Sequence, residues 1–447
     1  MDPVVVQRSD HILSRERISP EALKVLYGLK DAGYMACVAG GGVRDLLLGR
    51  TPKDFDVVTN ATPNQVRRVF RNSRLIGRRF RLVHVFFGPI NIEVATFRAN
   101  QPPDDQEDEA PSRHHVKTED GLILRDNVFG TPEEDALRRD FTINALFYNV
   151  ADFTIIDYVG GLEDLRQRVI RFIGDPNVRC AEDPVRMIRA VRFAAALEFQ
   201  IDPAVQTAIC DERERLASAN RSRLYEEVLK LFFCRAAHRA YAWLRQFGLF
   251  EMLFPEMGSW LGPQAGTPEC HRISEALKQV DDWRQAGRDV SPALLFALMF
   301  GGMHEAKAGE LAAKGQHPGL ALHSVTMEHF GGLTERVQVP KTVRYRSAEI
   351  LASQPRLMSE GGARAKPLAT RAFFPEALAY LEFIVRLTGE HREALERVRA
   401  IPWDPRPEHD FVPGGGRQRG RRGRRGPYHR TRRGPRDAAD APAAEHD

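Results

Sequence analysis

The sequence predicts an α/β domain followed by an all-helical region and a low-complexity tail. Runs rich in Val, Ile and Phe, which favour strands, are concentrated before about residue 175. From about residue 176 to residue 400, apolar residues instead recur at helical spacing. Gly and Arg dominate the residues after Val412. With 447 residues, 43% of them hydrophobic, the chain can form about three domains with sizeable cores.

The first region combines strands with capped helices. Ser19-Pro20-Glu21 followed by residues 22–29 is predicted to form a capped helix, with Ser19 as its N-cap and Pro20 at the first helical position. The polar, acidic segment 100–121 is predicted to be a mobile surface loop. The predicted strands are Ala36–Ala39, Phe55–Thr59, Leu82–Phe87 and Ile90–Phe97.

The second region has the apolar periodicity of amphipathic helices. Two glycine-containing stretches, Gly301-Gly302 and the segment from Gly361 to Arg364, are interpreted as loops between these helices. The periodic residues are Val185, Ile188, Val191 and Ala195, followed by Leu224, Val228, Leu231 and Phe232.

Cysteine usage and hydropathy argue against an exported or membrane protein. The five cysteines are far apart and include no C-x-x-C pair, which favours ordinary thiols in a reducing cytosol over disulfides or structural zinc. No apolar run approaches the ~18 residues that a membrane span needs. The N-terminus lacks a basic segment followed by an apolar one, so a secretory signal is not expected. A cytoplasmic location is therefore predicted.

The positive charge of the chain is concentrated in its tail. Residues 411–447 contain ten arginines, no lysine and four acidic residues, whereas the whole chain has a net charge of +5. Such a segment is expected to be disordered when free. It would bind nucleic acid through phosphate contacts and guanidinium stacking. The alternative is a solubilising tail without a partner.

The first motif with chemical meaning is a triple glycine followed by an Asp-x-Asp pair. Gly40-Gly41-Gly42 stands between a predicted strand and a helix predicted over residues 43–48, where glycines let phosphate approach backbone amides. Asp54 and Asp56 are predicted to share one face of a strand by its period of two.

Two adjacent carboxylates repel unless a cation lies between them, and Mg²⁺ prefers such oxygen ligands. Two ions about 3.5–4 Å apart could activate a hydroxyl and stabilise a leaving pyrophosphate. The alternative is that Asp54 opens a turn while Asp56 is a solvated strand residue.

The second motif is Arg138-Arg139-Asp140 at the edge of an apolar run. Its arginines could clamp a triphosphate, and its carboxylate could contact ribose hydroxyls or metal ions. An ordinary surface charge cluster would have the same composition.

The third motif is Glu182-Asp183-Pro184-Val185-Arg186, continued by Arg189 on a helix that begins near Pro184. Arg186 and Arg189 are expected to share one helix face. Asp183 could accept from the amino group of adenine while Arg186 donates to a ring nitrogen. The alternative is an N-terminal cap beside a solvated basic face.

Together the motifs Gly-Gly-x-Val-Arg-Asp, Asp-x-Asp, Arg-Arg-Asp-Phe-Thr-Ile-Asn and Glu-Asp-x-x-Arg resemble those of the class II tRNA nucleotidyltransferase/poly(A) polymerase family. This family contains bacterial poly(A) polymerases and CCA-adding enzymes, and the resemblance covers residues 11–260 well and the rest loosely. It implies a polymerase-β-like nucleotidyltransferase head with a mixed sheet over residues 1–175. It also implies a nucleotide- and RNA-binding helical neck over 176–260, an RNA-binding helical body over 261–405 and a disordered Arg/Gly-rich tail over 406–447.

The resemblance also implies roles for individual residues. Asp54 and Asp56 correspond to the ligands of two Mg²⁺ ions, and Asp140 to a further catalytic carboxylate whose chemistry and ribose recognition are hard to separate. ATP is the implied substrate. The implied substrate-binding residues are Gly41, Gly42, Arg44, Arg138, Arg139, Asp183, Arg186 and Arg189.

A further carboxylate, Glu93, lies in a predicted apolar strand and needs a cation or donor nearby. It is a candidate third acidic group beside the metal ions. A salt bridge to Arg98 or another arginine is the alternative.

Two features favour the poly(A) polymerase branch of the family. The arginine-rich segment from Leu75 to Val85 resembles a stretch that marks bacterial poly(A) polymerases, and an arginine-rich tail is a familiar addition to them. The expected activity is template-independent addition of AMP from ATP to RNA 3′ ends, promoting RNA processing or decay. The expected partners are mRNA, small RNA, decay intermediates and RNA-decay proteins.

Three other functions are alternatives to this one. CCA addition to tRNA would need CTP incorporation. A catalytically inactive RNA-binding protein is disfavoured by the intact Asp54, Asp56 and Asp140. A metal-dependent phosphohydrolase would need a His-Asp cluster, and the helical region shows none at recognisable spacing: His304, His317 and His323 are interpreted as solvated or core histidines.

Overall fold

The computed structural model describes residues 2–77, 81–99, 115–117, 123–126, 129–264, 266–359 and 364–404. Its N-terminal part is built on an eight-stranded mixed sheet. The eight strands are β1 (Val4–Val6), β2 (Ala36–Ala39), β3 (Asp56–Thr59), β4 (Ser73–Ile76), β5 (Leu82–Phe87), β6 (Ile90–Thr96), β9 (Leu146–Asn149) and β10 (Ile155–Asp157). Their order in the sheet is β1-β10-β9-β2-β3-β6-β5-β4, and only the β3–β6 pair in this sheet is parallel.

Two smaller sheets accompany the main one. An antiparallel pair joins β7 (His115–Lys117) to β8 (Ile123–Asp126). Part of the segment predicted to be a mobile loop therefore forms a strand, because β8 supplies a hydrogen-bonding partner. A parallel pair joins β11 (Val169–Ile170) to β12 (Gln200–Ile201), so one short strand lies in the region predicted to be all-helical.

Five helices belong to the region of the sheet, and thirteen further helices follow it along the described chain. The first group is α1 (Pro20–Asp31), α2 (Gly41–Leu47), α3 (Pro63–Val69), α4 (Pro132–Leu137) and α5 (Gly161–Gln167). The second is α6 (Pro176–Glu182), α7 (Val185–Leu197), α8 (Pro203–Glu212), α9 (Arg221–Phe232), α10 (Ala237–Gln246), α11 (Leu249–Leu253), α12 (Pro255–Leu261), α13 (Pro268–Gln285), α14 (Pro292–Ala313), α15 (Pro318–Leu333), α16 (Lys341–Leu357), α17 (Phe374–Thr388) and α18 (Arg392–Arg399).

Most of the local predictions are confirmed. The Ser19 hydroxyl caps α1 by accepting from the Ala22 amide, and Pro20 is its first residue. The predicted strands appear with end shifts of one residue at most. All eight periodic apolar residues of the helical region are buried. The predicted tail and the glycines 361 and 362 lie outside the described residues.

The prediction of a loop at Gly301-Gly302 is wrong, because both residues lie inside α14. At Gly301, a Cβ atom would stand 2.1 Å from the hydroxyl oxygen of Tyr380 on α17. The glycine therefore permits close packing between two helices and does not interrupt the first of them.

Among the described residues, no helix is both long enough and apolar enough to cross a bilayer.

Candidate active site

A cleft of about 740 Å³ brings together the sequence motifs of the sheet domain and the helices that follow it. Its walls come from the start of α2, the approach to β3, the segment after α4, and helices α7 and α9. Ten of the predicted site residues line it: Gly41, Gly42, Arg44, Asp54, Asp56, Arg139, Asp140, Asp183, Arg186 and Arg189.

The glycine turn is shaped by one backbone conformation and by close packing. Gly40 has φ +66°, which allows the chain to leave β2 and enter α2, and a side chain is strained in this conformation. A Cβ atom at Gly42 would approach Val38 Cγ1 to 3.2 Å. These glycines therefore let α2 begin directly at the wall of the cleft.

The side chain of Arg44 is fixed by contacts with neighbouring residues. It is buried, its Nη1 donates to Asn144 Oδ1 at 2.6 Å, and its Nη2 lies 2.8 Å from Asp45 Oδ1. Its guanidinium also stands 5.2 Å from the ring centre of Phe193 on α7. Arg44 therefore links the glycine turn to the helical wall.

The geometric reason given for pairing Asp54 with Asp56 is wrong, although both residues line the cleft. Strand β3 begins only at Asp56, which is paired in register with Ala39, and Asp54 precedes the strand. Both carboxylates therefore line the cleft, although only Asp56 belongs to the strand. Both also line an adjoining cavity of about 840 Å³ that includes Glu93.

The pKa of Asp56 reflects burial and the charged groups around it. Desolvation by the surrounding protein raises the pKa of Asp56, the negative charges of Glu93 and Asp54 raise it further, and Arg139 opposes them. Repulsion of this kind is relieved by a divalent cation. Asp54, Asp56 and Glu93 offer only oxygen donors, which fits a hard ion such as Mg²⁺.

The described residues contain no ready-formed group of three or more His, Cys, Asp or Glu side chains placed to hold a metal ion. Glu93 is aligned with His84 on the neighbouring strand, and its Oε1 lies 3.3 Å from His84 Nε2. The fit to Mg²⁺ therefore rests on the oxygen donors at the junction of the two cavities.

Asp140 is bound to the helical wall of the cleft. Its Oδ2 accepts a hydrogen bond from Arg189 Nε at 2.8 Å, and its Oδ1 accepts from the Phe141 amide at 2.9 Å. Burial alone would raise the pKa of Asp140, but the Arg189 charge and these hydrogen bonds outweigh burial and lower it. Asp140 is thus ionised and already paired.

The two arginines of the second motif have separate environments. Arg139 lines the cleft, with Nη2 donating to Asp135 Oδ2 at 2.8 Å and Nη1 donating to the Asn144 carbonyl at 3.1 Å. Arg138 is not among the residues that line the cleft, and the expectation that both arginines face one triphosphate stays a prediction. Burial and the charges of Arg98, Arg139 and other arginines lower the pKa of Arg138 to about 9.

Three residues of the third motif, Asp183, Arg186 and Arg189, line the cleft, and Asp183 has a partner that the sequence did not indicate. Asp183 precedes α7, and Arg186 donates from Nη1 to Glu182 Oε2 at 2.8 Å. Arg223 of α9 donates to Asp183 from both terminal nitrogens, from Nη1 to Oδ1 at 3.1 Å and from Nη2 to Oδ2 at 2.7 Å.

Helix α9 forms a wall of the cleft that the sequence motifs do not predict. Arg223, Glu227 and Lys230 repeat at helical spacing on one face, and Arg223 and Lys230 line the cleft. The buried carboxylate of Glu227 lies 3.3 Å from Arg192 Nε and 2.9 Å from Lys230 Nζ. The spacing of the charged residues on α9 is visible in the sequence. Many solvated helices have the same spacing, so it does not distinguish a functional wall from a solvated face.

The histidines of the helical region form no second catalytic group among the described residues. His304 is buried, and its Nε2 lies 2.9 Å from His329 Nδ1. Burial lowers the pKa of His329 to about 4, so this pair is neutral. His317 is exposed and caps α15 by accepting from the Gly319 amide.

Family models match three parts of the chain. Residues 36–171 match the "Poly A polymerase head domain", and residues 198–261 match the "Probable RNA and SrmB- binding site of polymerase A". Residues 314–404 match the "Polymerase A arginine-rich C-terminus".

Individual relatives show how far the similarity extends. Poly(A) polymerase I of Salmonella typhimurium is 43% identical over 398 residues, which is 88% of this chain and 84% of the relative. The CCA-adding enzyme of Bacillus licheniformis is 35% identical over 233 residues, 52% of this chain and 55% of the relative.

A solved structure of the Bacillus stearothermophilus CCA-adding enzyme in complex with CTP is similar in fold. Its TM-score is 0.59 at 28% identity, with 86% of this chain and 82% of that chain covered. The geometry of the cleft and these similarities indicate the same family. The sheet domain supplies the glycine turn and the two aspartates, and the helical wall completes the cleft. The chain therefore belongs to the family of bacterial poly(A) polymerases and tRNA nucleotidyltransferases.

Proposed function

We propose that this protein is a template-independent RNA adenylyltransferase that transfers AMP from ATP to RNA 3′ ends and so promotes RNA processing or decay. The observation that carries this proposal is similarity to poly(A) polymerase I along 88% of the chain, whereas the match to the Bacillus licheniformis CCA-adding enzyme covers 52%. The cleft supplies the matching chemistry, with carboxylates on the sheet side and cationic side chains on the helical side.

In the reaction, the RNA 3′-oxygen forms a bond to the α-phosphorus of ATP and loses its proton, while the bond from that phosphorus to the bridging oxygen of pyrophosphate breaks. Asp54 and Asp56 would hold Mg²⁺, and two ions are expected. Mg²⁺ bound there would stabilise negative charge on the phosphates. Arg139, Arg189 and Lys230 would hold the triphosphate by charge. Positioning and electrostatics would then supply the catalysis without a protein nucleophile.

The base would be read by Asp183 and Arg186 at the helical wall. A carboxylate accepts from the amino group of adenine, and a guanidinium donates to its ring nitrogen. Both side chains line the cleft that also contains the glycine turn, which supports one site for the whole nucleotide.

Several wider expectations belong to the same proposal. The RNA partners would be mRNA, small RNA and decay intermediates, bound by the neck over 176–260, the body over 261–405 and the arginine-rich tail, and RNA-decay proteins would be further partners. A cytoplasmic location is supported by the five cysteines, which are all free thiols.

CCA addition to tRNA is the second candidate, because one similar solved structure is that of a CCA-adding enzyme in complex with CTP. Incubation of the purified protein with an unstructured RNA, Mg²⁺ and each of the four nucleotides separately tests both functions. Long extension with ATP alone supports adenylyl transfer. Addition of CTP to a tRNA that lacks its 3′ end would favour CCA addition, and RNA retention without ATP turnover would indicate an inactive RNA-binding protein.

A further inference from the structure

Lys53 differs from the other cationic residues of the cleft because its charge is not paired. Eight described residues that line the cleft have a cationic side chain, and seven of these side chains form an ion pair with a carboxylate. The Lys53 side chain is exposed and forms no ion pair or hydrogen bond with any residue that the structure describes. Lys53 can therefore bind an anion without first breaking a contact within the protein.

Lys53 lies where the cleft meets the adjoining cavity. Among the described residues, only Lys53, Asp54 and Asp56 line both spaces, and none from the helical wall lines the adjoining cavity. The other cationic residue described in that cavity, Arg17, already donates to two backbone carbonyl oxygens. Lys53 is therefore the available cation beside the two aspartates, at the border of a space that the helical wall does not reach.

The proposed reaction brings a second polyanion to the same two aspartates. ATP would lie in the cleft with its base at the helical wall, and its pyrophosphate would leave from the α-phosphorus. In such a transfer the attacking and leaving oxygens stand roughly in line, on opposite sides of the phosphorus. The RNA 3′ end therefore needs an approach to the aspartates that ATP does not occupy, and the junction with the adjoining cavity offers one.

The RNA carries a negative charge close to its reacting hydroxyl. The phosphodiester between the last two nucleotides is one ribose away from the 3′-oxygen, and the charges of Asp54 and Asp56 would repel it. A lysine suits this phosphate because its ammonium group is a compact charge with three donors on a flexible stem. Each addition creates a new terminal phosphodiester, so a flexible, unpaired cation can release one phosphate and bind the next.

We propose that Lys53 is an RNA-binding residue that holds the 3′-terminal phosphodiester of the RNA while the 3′-hydroxyl reacts. This inference rests on the proposed adenylyltransferase function. A contact to phosphate carries no sequence information, which suits an enzyme that extends many different RNA ends. The triphosphate of ATP would instead be held by paired cations of the cleft, such as Arg139 and Arg189.

The test measures KM for RNA and KM for the nucleotide during addition of a single 3′-deoxyadenylate from 3′-deoxy-ATP, which prevents a second cycle. The RNA is unstructured, and Mg²⁺ is present. Lys53→Ala should raise KM for RNA by about tenfold and leave KM for the nucleotide unchanged, because one charge-assisted contact to RNA phosphate is lost. The slope of log KM for RNA against log salt concentration should fall by about one.

Two further variants separate charge from other effects. Lys53→Arg keeps a positive charge that can bind phosphate and should keep KM for RNA close to the wild-type value. Lys30→Ala is the matched control, because it removes an exposed lysine of the same domain that lines neither cavity. Lys30→Ala should change neither KM.

A modified RNA identifies the phosphate that Lys53 binds. In this RNA an uncharged methylphosphonate replaces the terminal phosphodiester, and in a control RNA it replaces a linkage far upstream. The terminal replacement should raise KM for RNA by about tenfold in wild type and have no further effect in Lys53→Ala. The upstream replacement should have the same effect in both proteins.

Four results would overturn the proposal. An increase of KM for the nucleotide alone in Lys53→Ala would assign Lys53 to the triphosphate, and an unchanged KM for RNA would show a solvated lysine without a role. An equal increase of KM for RNA in Lys53→Arg and Lys53→Ala would exclude a role of the charge. A terminal methylphosphonate effect that persists in full in Lys53→Ala would assign that phosphate to another residue. Failure of wild type to add adenylate from ATP would instead refute the proposed function, so the two failures are distinguishable.

Discussion

Arg189 of α7 binds Asp140 of the sheet domain across the floor of the cleft, with Nε donating to Oδ2 at 2.8 Å. The Nη1 atom of the same guanidinium lies 3.6 Å from the buried carboxylate of Glu227 on α9. One arginine therefore connects three of the walls, and the shape of the site depends on a partly buried chain of charges.

Replacing Asp140 with Asn should lower the free energy of unfolding by about 2 kcal/mol, because a charge-assisted hydrogen bond to the half-buried guanidinium of Arg189 is lost. Urea denaturation at pH 7 measures this. Glu163→Gln, which breaks the exposed Arg166–Glu163 pair, is the control and should change stability by less than about 0.5 kcal/mol.

The effect of Asp140→Asn should also depend on pH. Because the folded state lowers the pKa of Asp140, its stabilisation is complete above the unfolded pKa of about 3.9 and is lost as the pH falls through the folded pKa. The difference between wild type and Asp140→Asn should therefore shrink below about pH 4. A difference that grows on acidification would contradict the pairing.

The double variant Asp54→Ala/Asp56→Ala should abolish ATP incorporation while the protein stays folded, because it removes two mutually repelling oxygen donors at the surface of the cleft. Primer extension and circular dichroism measure these two properties. The control Glu16→Ala/Glu21→Ala removes two carboxylates from the adjoining cavity and should keep activity. ATP incorporation retained by the aspartate variant would refute the metal assignment.

Glu93→Gln should shift the acid limb of the pH profile of kcat/KM to lower pH. The Glu93 charge helps to raise the pKa of Asp56, so its removal lets Asp56 ionise, and bind a cation, under more acidic conditions. Glu21→Gln, in the same cavity, should leave the profile unchanged. Loss of activity at every pH in excess Mg²⁺ would instead indicate that Glu93 is itself a ligand.

Gly301→Ala should destabilise the protein by about 1–3 kcal/mol, because the new methyl group would overlap the buried hydroxyl of Tyr380. Gly309→Ala, on the same helix with open space around it, should instead stabilise by about 0.5–1 kcal/mol. Thermal or urea unfolding of the two variants measures both signs. Equal effects would show that packing against Tyr380 does not determine the difference.

Local patterns predicted local structure well. Ser19 and Pro20 are sufficient to start α1, because a capping hydroxyl and a preset φ act within one turn. Asp54 shows the limit of such reasoning: a period of two was applied to a residue two positions before the strand begins, and the loop before β3 brings its carboxylate to the cleft. Gly301 shows another limit, because only its distant neighbour Tyr380 explains why a glycine stands inside a helix.

The order of short motifs is enough to predict the class of protein, the α/β-then-helical architecture and most of the residues that line the cleft. These depend on backbone preferences and on residue types that act over a few positions. Which charges meet depends on the packing of the folded chain: Arg189 is bound to Asp140, Arg223 is bound to Asp183, and Arg138 is absent from the lining of the cleft. Partners 40 or more residues apart in the chain, such as Arg223 and Asp183, are selected by the packing of helices against the sheet, and no local spacing encodes that packing.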